Sequence, residues 1–260
     1  MRLGFIILIF ATLSSCGNIN HKTSSSNNRV IAHRGAWKQK NLPENSIASL
    51  KHAIELGCAG SEFDVRMTSD SVLVINHDKD YNGMVIEDTK YTDLLKFKLS
   101  NGEKLPTLKE YLQAGMSNNT STGLVCEIKP SKYKDRGEII AQKVVDMVNE
   151  LEATPYISFY ISFDYDILRK ISKISQTKTQ YLDGTKSPDE IKADGISGID
   201  YYLTVYKKHP EWIERAKETN VILNAWTANT SEDLDWLLKN NFDYITTNEP
   251  ELLLEKVSSM

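Results

Sequence analysis

Short apolar runs alternate with longer stretches whose apolar residues recur at helical spacing, from about Arg29 to the C-terminus. Runs rich in β-branched and aromatic residues predict strands at 30–34, 62–65, 72–77, 123–130, 156–163, 179–182, 198–202, 221–226 and 243–247. Helical spacing predicts helices at 45–56, 107–116, 138–151, 165–172, 187–192, 210–219 and 231–238. Pro43-Glu44-Asn45-Ser46 opens the first of these and Gly57 stops it. The stretch 81–104 is polar and Gly-punctuated, with a short helix predicted at 92–97. If the strand at 72–77 folds back beside the one before it, eight strand–helix units remain. The expectation is an α/β fold, a (β/α)8 TIM barrel with a small insertion after the second strand.

In such a barrel the chemistry sits at the C-terminal ends of the strands, where this chain places its titratable residues. Strand alternation projects Glu62 and Asp64 from one face while Phe63 and Val65 project from the other. Two adjacent carboxylates on an apolar strand resist burial unless a cation sits between them. The same alternation turns Glu127 and Lys129 inward and Cys126 and Ile128 outward. Three carboxylates from neighbouring strands suit one hard divalent cation, Mg2+ or Ca2+. Arg34 and Lys129 supply charge for an anion such as phosphate. His33 and His77, at strand ends, suit general acid and base work. A metal, cations and paired histidines at one mouth point to phosphodiester cleavage.

Composition narrows the field without redirecting it. The chain has 260 residues, 40% of them hydrophobic, and a formal charge of -4, so it can bury a full core and carries no basic patch for nucleic acid. Its three cysteines show no CxxC spacing and make no disulfide framework, and Cys58 and Cys126 read as small buried hydrophobes. A basic start and an apolar run at 3–13, too short for the ~20 residues of a bilayer span, read as an export signal over 1–15. Leu13-Ser14-Ser15-Cys16-Gly17 resembles a bacterial lipobox, which implies cleavage before Cys16, lipidation of its thiol and an exported, membrane-anchored lipoprotein. Gly17 stands where some bacteria place an inner-membrane retention aspartate, which favours an outer leaflet. The Ser/Asn-rich stretch 16–28 reads as a tether, leaving 29–260 as the folded domain.

Ordered short motifs then carry a specific resemblance. His33-Arg34-Gly35, Pro43-Glu44-Asn45-Ser46, Glu62-Phe63-Asp64-Val65 with Thr68 and Asp70, and His77-Asp78 are followed by Leu105-Pro106-Thr107-Leu108, Glu127-Ile128-Lys129, Ser162-Phe163, Trp226-Thr227 and Ile245-Thr246-Thr247. The series resembles the glycerophosphodiester phosphodiesterase family over essentially the whole domain. The resemblance implies metal-dependent hydrolysis of glycerophosphodiesters to glycerol 3-phosphate and an alcohol. It implies Glu62, Asp64 and Glu127 as metal ligands, His33 and His77 as the acid/base pair, and Arg34 and Lys129 on phosphate. Glu44 would stand near the metal or orient His33, and Trp226 would pack on the glycerol. Two departures, Lys79 to Met84 after the His-Asp pair and Asn248 in place of a closing aspartate, are expected at the pocket rim, away from the catalytic set. They keep open cyclic-phosphate or phospholipase D-like cleavage of lysophospholipid or sphingolipid head groups. A binder of phosphoglycerol without turnover is the third reading, disfavoured because it needs no paired imidazoles.

Other residues read as structural. His52 and His209 fall on or beside outer helices, Trp212 and Trp236 at core positions, and Asp164 at a helix cap. Ser162 lacks a nucleophile elbow. Trp37, just past His33-Arg34-Gly35, is expected to line the pocket.

Overall fold

The computed structural model describes residues 28–260, so the expected export signal, Cys16 and most of the tether lie outside the described residues. Eight parallel strands close on themselves: β1 (Val30–Ala32), β2 (Gly60–Met67), β3 (Gly123–Ile128), β4 (Ile157–Ser162), β5 (Thr179–Tyr181), β6 (Gly198–Tyr202), β7 (Ile222–Trp226) and β8 (Tyr244–Thr247). Closure comes from β1, which pairs with β8 at Val30–Ile245 and with β2 at Ile31–Gly60. Leu73–Ile75 runs antiparallel to β2, Val65 opposite Ile75, as the strand count requires. The protein is a (β/α)8 barrel.

Alternation along the staves sorts side chains into two populations. Phe63, Val65, Cys126 and Ile128 point out and pack under the helices Leu108–Met116 and Arg136–Glu150 with Tyr111, Leu112, Ile140 and Val144. Each such large side chain contributes about 1.5–3 kcal/mol on burial. Ile31, Val125, Phe159, Ile161 and Leu182 point in and plug the barrel beneath its mouth. Above that plug, the inward positions of β2 and β3 are acids and a lysine.

Strong caps fix several helices where the sequence predicts them. Ser46 accepts from the Ser49 N–H to open α1 (Ile47–Leu56), and Gly57, at φ 69, ends it. Asp164 accepts from Asp166 and Ile167 to start Tyr165–Ile174, the capping role expected for it. The helix Leu203–Lys208 is not predicted: it carries only two buried side chains, Leu203 and Tyr206, too few to show a period. Tyr206 holds it in place by donating to the Asn224 carbonyl at 2.6 Å.

The insertion forms a lobe of its own beside the mouth. A hairpin (Asp80–Tyr81 with Met84–Val85), a turn at Ile86–Asp88 and a short helix Tyr91–Leu94 enclose Val74, Tyr81, Ile86, Leu94 and Leu105. Glu87, buried, ties the lobe to the loop after β3 by accepting from the Ser131 hydroxyl and the Lys132 N–H. At the opposite end of the barrel the chain enters β1, where Asn28 donates to the Gly57 carbonyl and Arg29 to that of Phe242.

Candidate active site

The turn after β1 is bent sharply to bring its groups over β2. Arg34 (φ 57) and Gly35 (φ 82) both adopt left-handed backbone. A Cβ on Gly35 would lie 2.7 Å from the backbone carbon of Ser49, so only glycine fits against α1. The bend aims the Arg34 N–H at Glu62 Oε2, 2.8 Å away, and its carbonyl accepts from the Asn45 N–H at 3.0 Å. Asn45, itself left-handed, clasps Asp64: its amide donates to Oδ2 at 2.8 Å and its oxygen accepts the Asp64 N–H at 3.1 Å.

Glu62, Asp64 and Glu127 are buried and offer oxygens that all lie within 4.8 Å of one another. Lys129 Nζ stands 2.7 Å from Glu127 and 3.1 Å from Asp64 as an ion pair to both. Arg34 pairs with Glu44 at 2.6 Å and lies 3.7 Å from Asp64. Its Nε makes no hydrogen bond, which leaves a donor for a ligand oxygen. His33, Arg34, Glu62, His77, Glu127, Lys129 and Trp226 line one cavity of about 100 Å3.

The sequence matches the model of the Glycerophosphoryl diester phosphodiesterase family over residues 33–252. The chain belongs to this family. Membership makes it an enzyme, a phosphodiester hydrolase. A glycerophosphodiester phosphodiesterase of Caldanaerobacter subterraneus subsp. tengcongensis is 32% identical over 247 residues, covering 88% of this chain and 97% of that one. The crystal structure of a glycerophosphodiester phosphodiesterase from Parabacteroides distasonis superposes with a TM-score of 0.87 at 36% identity, covering 90% of this chain and 98% of the other. An Oleispira antarctica phosphodiesterase, solved with its product sn-glycerol-3-phosphate, shares the fold at 19% identity and a TM-score of 0.74, over 89% of this chain and 97% of that one.

Within this phosphodiesterase barrel the electrostatics of the acids are unequal. Burial and the neighbouring carboxylates push Glu62 and Glu127 above the usual carboxylate range. Burial opposes ionisation of Asp64 too, but Lys129, His77, Asn45 and Arg34 outweigh it and hold that group below its ordinary value. The donor set fits a hard divalent cation: every donor is a carboxylate, and Glu62 Oε1 is buried with neither a hydrogen bond nor an ion pair. Acids raised by burial bind protons more tightly folded than unfolded, so the metal-free protein loses stability as pH rises from ordinary carboxylate values through neutrality. The rise in Tm on adding saturating divalent ion is therefore expected to be larger at pH 8 than at pH 5, which calorimetry would read directly.

The two histidines are held differently. His77 Nδ1 lies 2.8 Å from the Asp78 carboxylate and its side chain is 38% exposed. His33 Nδ1 lies 2.7 Å from Asn248 Oδ1, a neutral partner. Burial, then the Arg34 charge, brings His33 down to about 4. The expectation that Asn248 sits at the rim, away from the catalytic set, is thus corrected: the turn after β8 folds back over the end of β1, where the His33 N–H donates to the Thr247 carbonyl at 3.0 Å.

Other placements also shift. Glu44 pairs with Arg34, through which it stands beside Asp64, and its charge also acts on His33. Trp37 stands off the cavity lining, in a turn where its carbonyl accepts from the Leu42 N–H. Trp226 lines the cavity edge-on to Phe163 at 5.5 Å. His52 is buried against the Ala36 carbonyl at 2.8 Å and His209 stacks on Trp212, both outside the cavity. Ser162 is spent structurally, donating to the Ile128 carbonyl at 2.7 Å. Cys58 and Cys126 are free and buried. Sequence reading missed Asp200, which lines the cavity fully buried. The signal was present: in β6 alternation turns it inward between Ile199 and Tyr201.

Proposed function

We propose that this chain hydrolyses glycerophosphodiesters to glycerol 3-phosphate and an alcohol, with Glu62, Asp64 and Glu127 holding one divalent cation, Mg2+ or Ca2+. The observation that carries the reading is one cavity lined by Glu62, Glu127, two imidazoles with unlike partners and Arg34, with Asp64 within 4.8 Å of both glutamates and Arg34 Nε left without a hydrogen bond. A bound dication there would act as a Lewis acid on the phosphoryl oxygens. Arg34 and Lys129 would bind those oxygens and balance charge as it accumulates in the transition state. The Asn248 oxygen accepts the Nδ1–H of His33, which leaves Nε2 unprotonated; His33 is therefore the base that takes a proton from the attacking group, either water or the neighbouring glycerol hydroxyl, whose cyclic phosphate a water would then open. His77, against a carboxylate and in reach of solvent, delivers a proton to the departing alkoxide. Glu44 keeps the Arg34 fork in place, and Trp226 offers an apolar face to the glycerol.

Metal-stripped protein tested on glycerophosphocholine and glycerophosphoethanolamine is expected to release glycerol 3-phosphate only after Mg2+ or Ca2+ is restored, and to stop with chelator. Cyclic phosphate from a lysophospholipid, with no release from either diester, would replace this reading with the lyase one. We further propose export and lipid anchoring through Cys16, on the sequence pattern alone. Cys16→Ser is expected to move the protein from the membrane to the soluble fraction on cell fractionation.

A further inference from the structure

The cavity contains one acid that the chemistry above does not use. Asp200 is 1% exposed, lines the same cavity, and its Oδ1 has no hydrogen-bond partner. Its neighbours Ile199 and Tyr201 belong to the outer core, so the carboxyl projects into the barrel. The cations at the mouth are engaged elsewhere, Lys129 with Asp64 and Glu127 and Arg34 with Glu44, and Asp200 takes part in no ion pair among the described residues. Burial and the facing Glu127 carboxylate hold it well above the usual carboxylate range. An unpartnered buried carboxyl is costly in the free protein, and a ligand group that donates to it removes that cost.

Apart from Thr227 and Thr246, the lining around it is apolar: Ile161, Phe163, Leu182 and Trp226. Trp226 Nε1 donates to the Asp200 carbonyl at 3.0 Å, so indole and carboxyl are fixed relative to each other. We infer that Asp200 selects the glycerol end of the substrate, its carboxyl oxygen accepting a hydroxyl hydrogen of the diol while Trp226 and Phe163 cover the carbon chain. This rests on the phosphodiesterase reading above. A cationic head group fits the wall less well, because Lys129 Nζ already stands 5.7 Å from the Phe163 ring centre.

The test is calorimetric binding of sn-glycerol 3-phosphate, n-propyl phosphate and phosphocholine to the full-length, metal-loaded protein and to its Asp200→Ala and Asp200→Asn variants. Hydrogen bonds to an ionisable buried group predict that the unaltered protein prefers glycerol 3-phosphate over propyl phosphate by roughly 10- to 100-fold. In Asp200→Ala the preference falls below about threefold with propyl phosphate affinity kept, and Asp200→Asn, which retains an acceptor oxygen, restores part of it. Removing a buried unpaired carboxyl leaves Tm unchanged or higher, so both variants are expected to fold. A preference that survives Asp200→Ala, or is absent from the start, overturns the inference. So does a loss confined to phosphocholine, which would make the wall a cation subsite. Failure of the unaltered protein to bind any of the three overturns the phosphodiesterase reading and this inference with it.

Discussion

His33→Ala is expected to lower kcat for a glycerophosphodiester by about 10²- to 10⁴-fold, with KM and metal content little changed, as the proposed role of His33 on a proton in flight requires. His77→Ala is expected to show a loss of the same order on the same substrate. The two part company when the alcohol is replaced by p-nitrophenol, a leaving group that needs no proton. Most of the His77→Ala defect should then disappear, while the His33→Ala defect remains. The difference follows from the partners: a neutral amide for His33 and a carboxylate for His77. Equal rescue of both variants, or rescue of His33→Ala alone, would reverse the assignment. Asn248 enters the same experiment, since Asn248→Leu frees the His33 ring to rotate or change tautomer and is expected to reproduce part of the His33→Ala loss.

Lys129→Met should produce the largest stability change in the metal-free protein. Lys129 is 7% exposed and pairs with both Asp64 and Glu127, so its removal leaves two buried carboxylates facing each other and Glu62. Breaking a buried pair in this way costs about 3–5 kcal/mol. A divalent cation replaces the missing charge, so the loss measured by urea unfolding at pH 8 should shrink greatly when Ca2+ or Mg2+ is present. Activity would not follow stability if Lys129 binds the phosphate as proposed: that contact would be gone and KM would stay high. A loss of stability that the ion leaves untouched would show that the three acids do not hold it.

Much of this is legible in the amino-acid sequence, and for one physical reason. Period-two alternation on a strand is a strong constraint: once Phe63 and Cys126 are assigned to the helix side, Glu62, Asp64, Glu127 and Lys129 have only the barrel interior left. Residues placed by tertiary closure were not legible. Asn248 reaches His33 only because β8 and β1 are neighbours and the chain turns back after Thr247, a contact between positions 215 apart in sequence. Glu44 is a loop residue whose direction depends on the left-handed turn at Arg34 and Asn45, which no periodicity encodes. Trp37 misled for the same reason, since proximity in sequence to His33 says nothing about where a loop side chain points. Asp200 obeys the same alternation, but a lone inward acid without a second one two residues away carries no metal-site signal.

The end of the barrel at which the chain enters has a consequence for what the enzyme can reach. Asn28 and Arg29 are fastened beside Gly57 and Phe242, at the base of β1, while the catalytic groups stand at the opposite rim. An attachment made upstream of Asn28 therefore joins the barrel at the end away from the catalytic groups, and a diester reaches them without passing it.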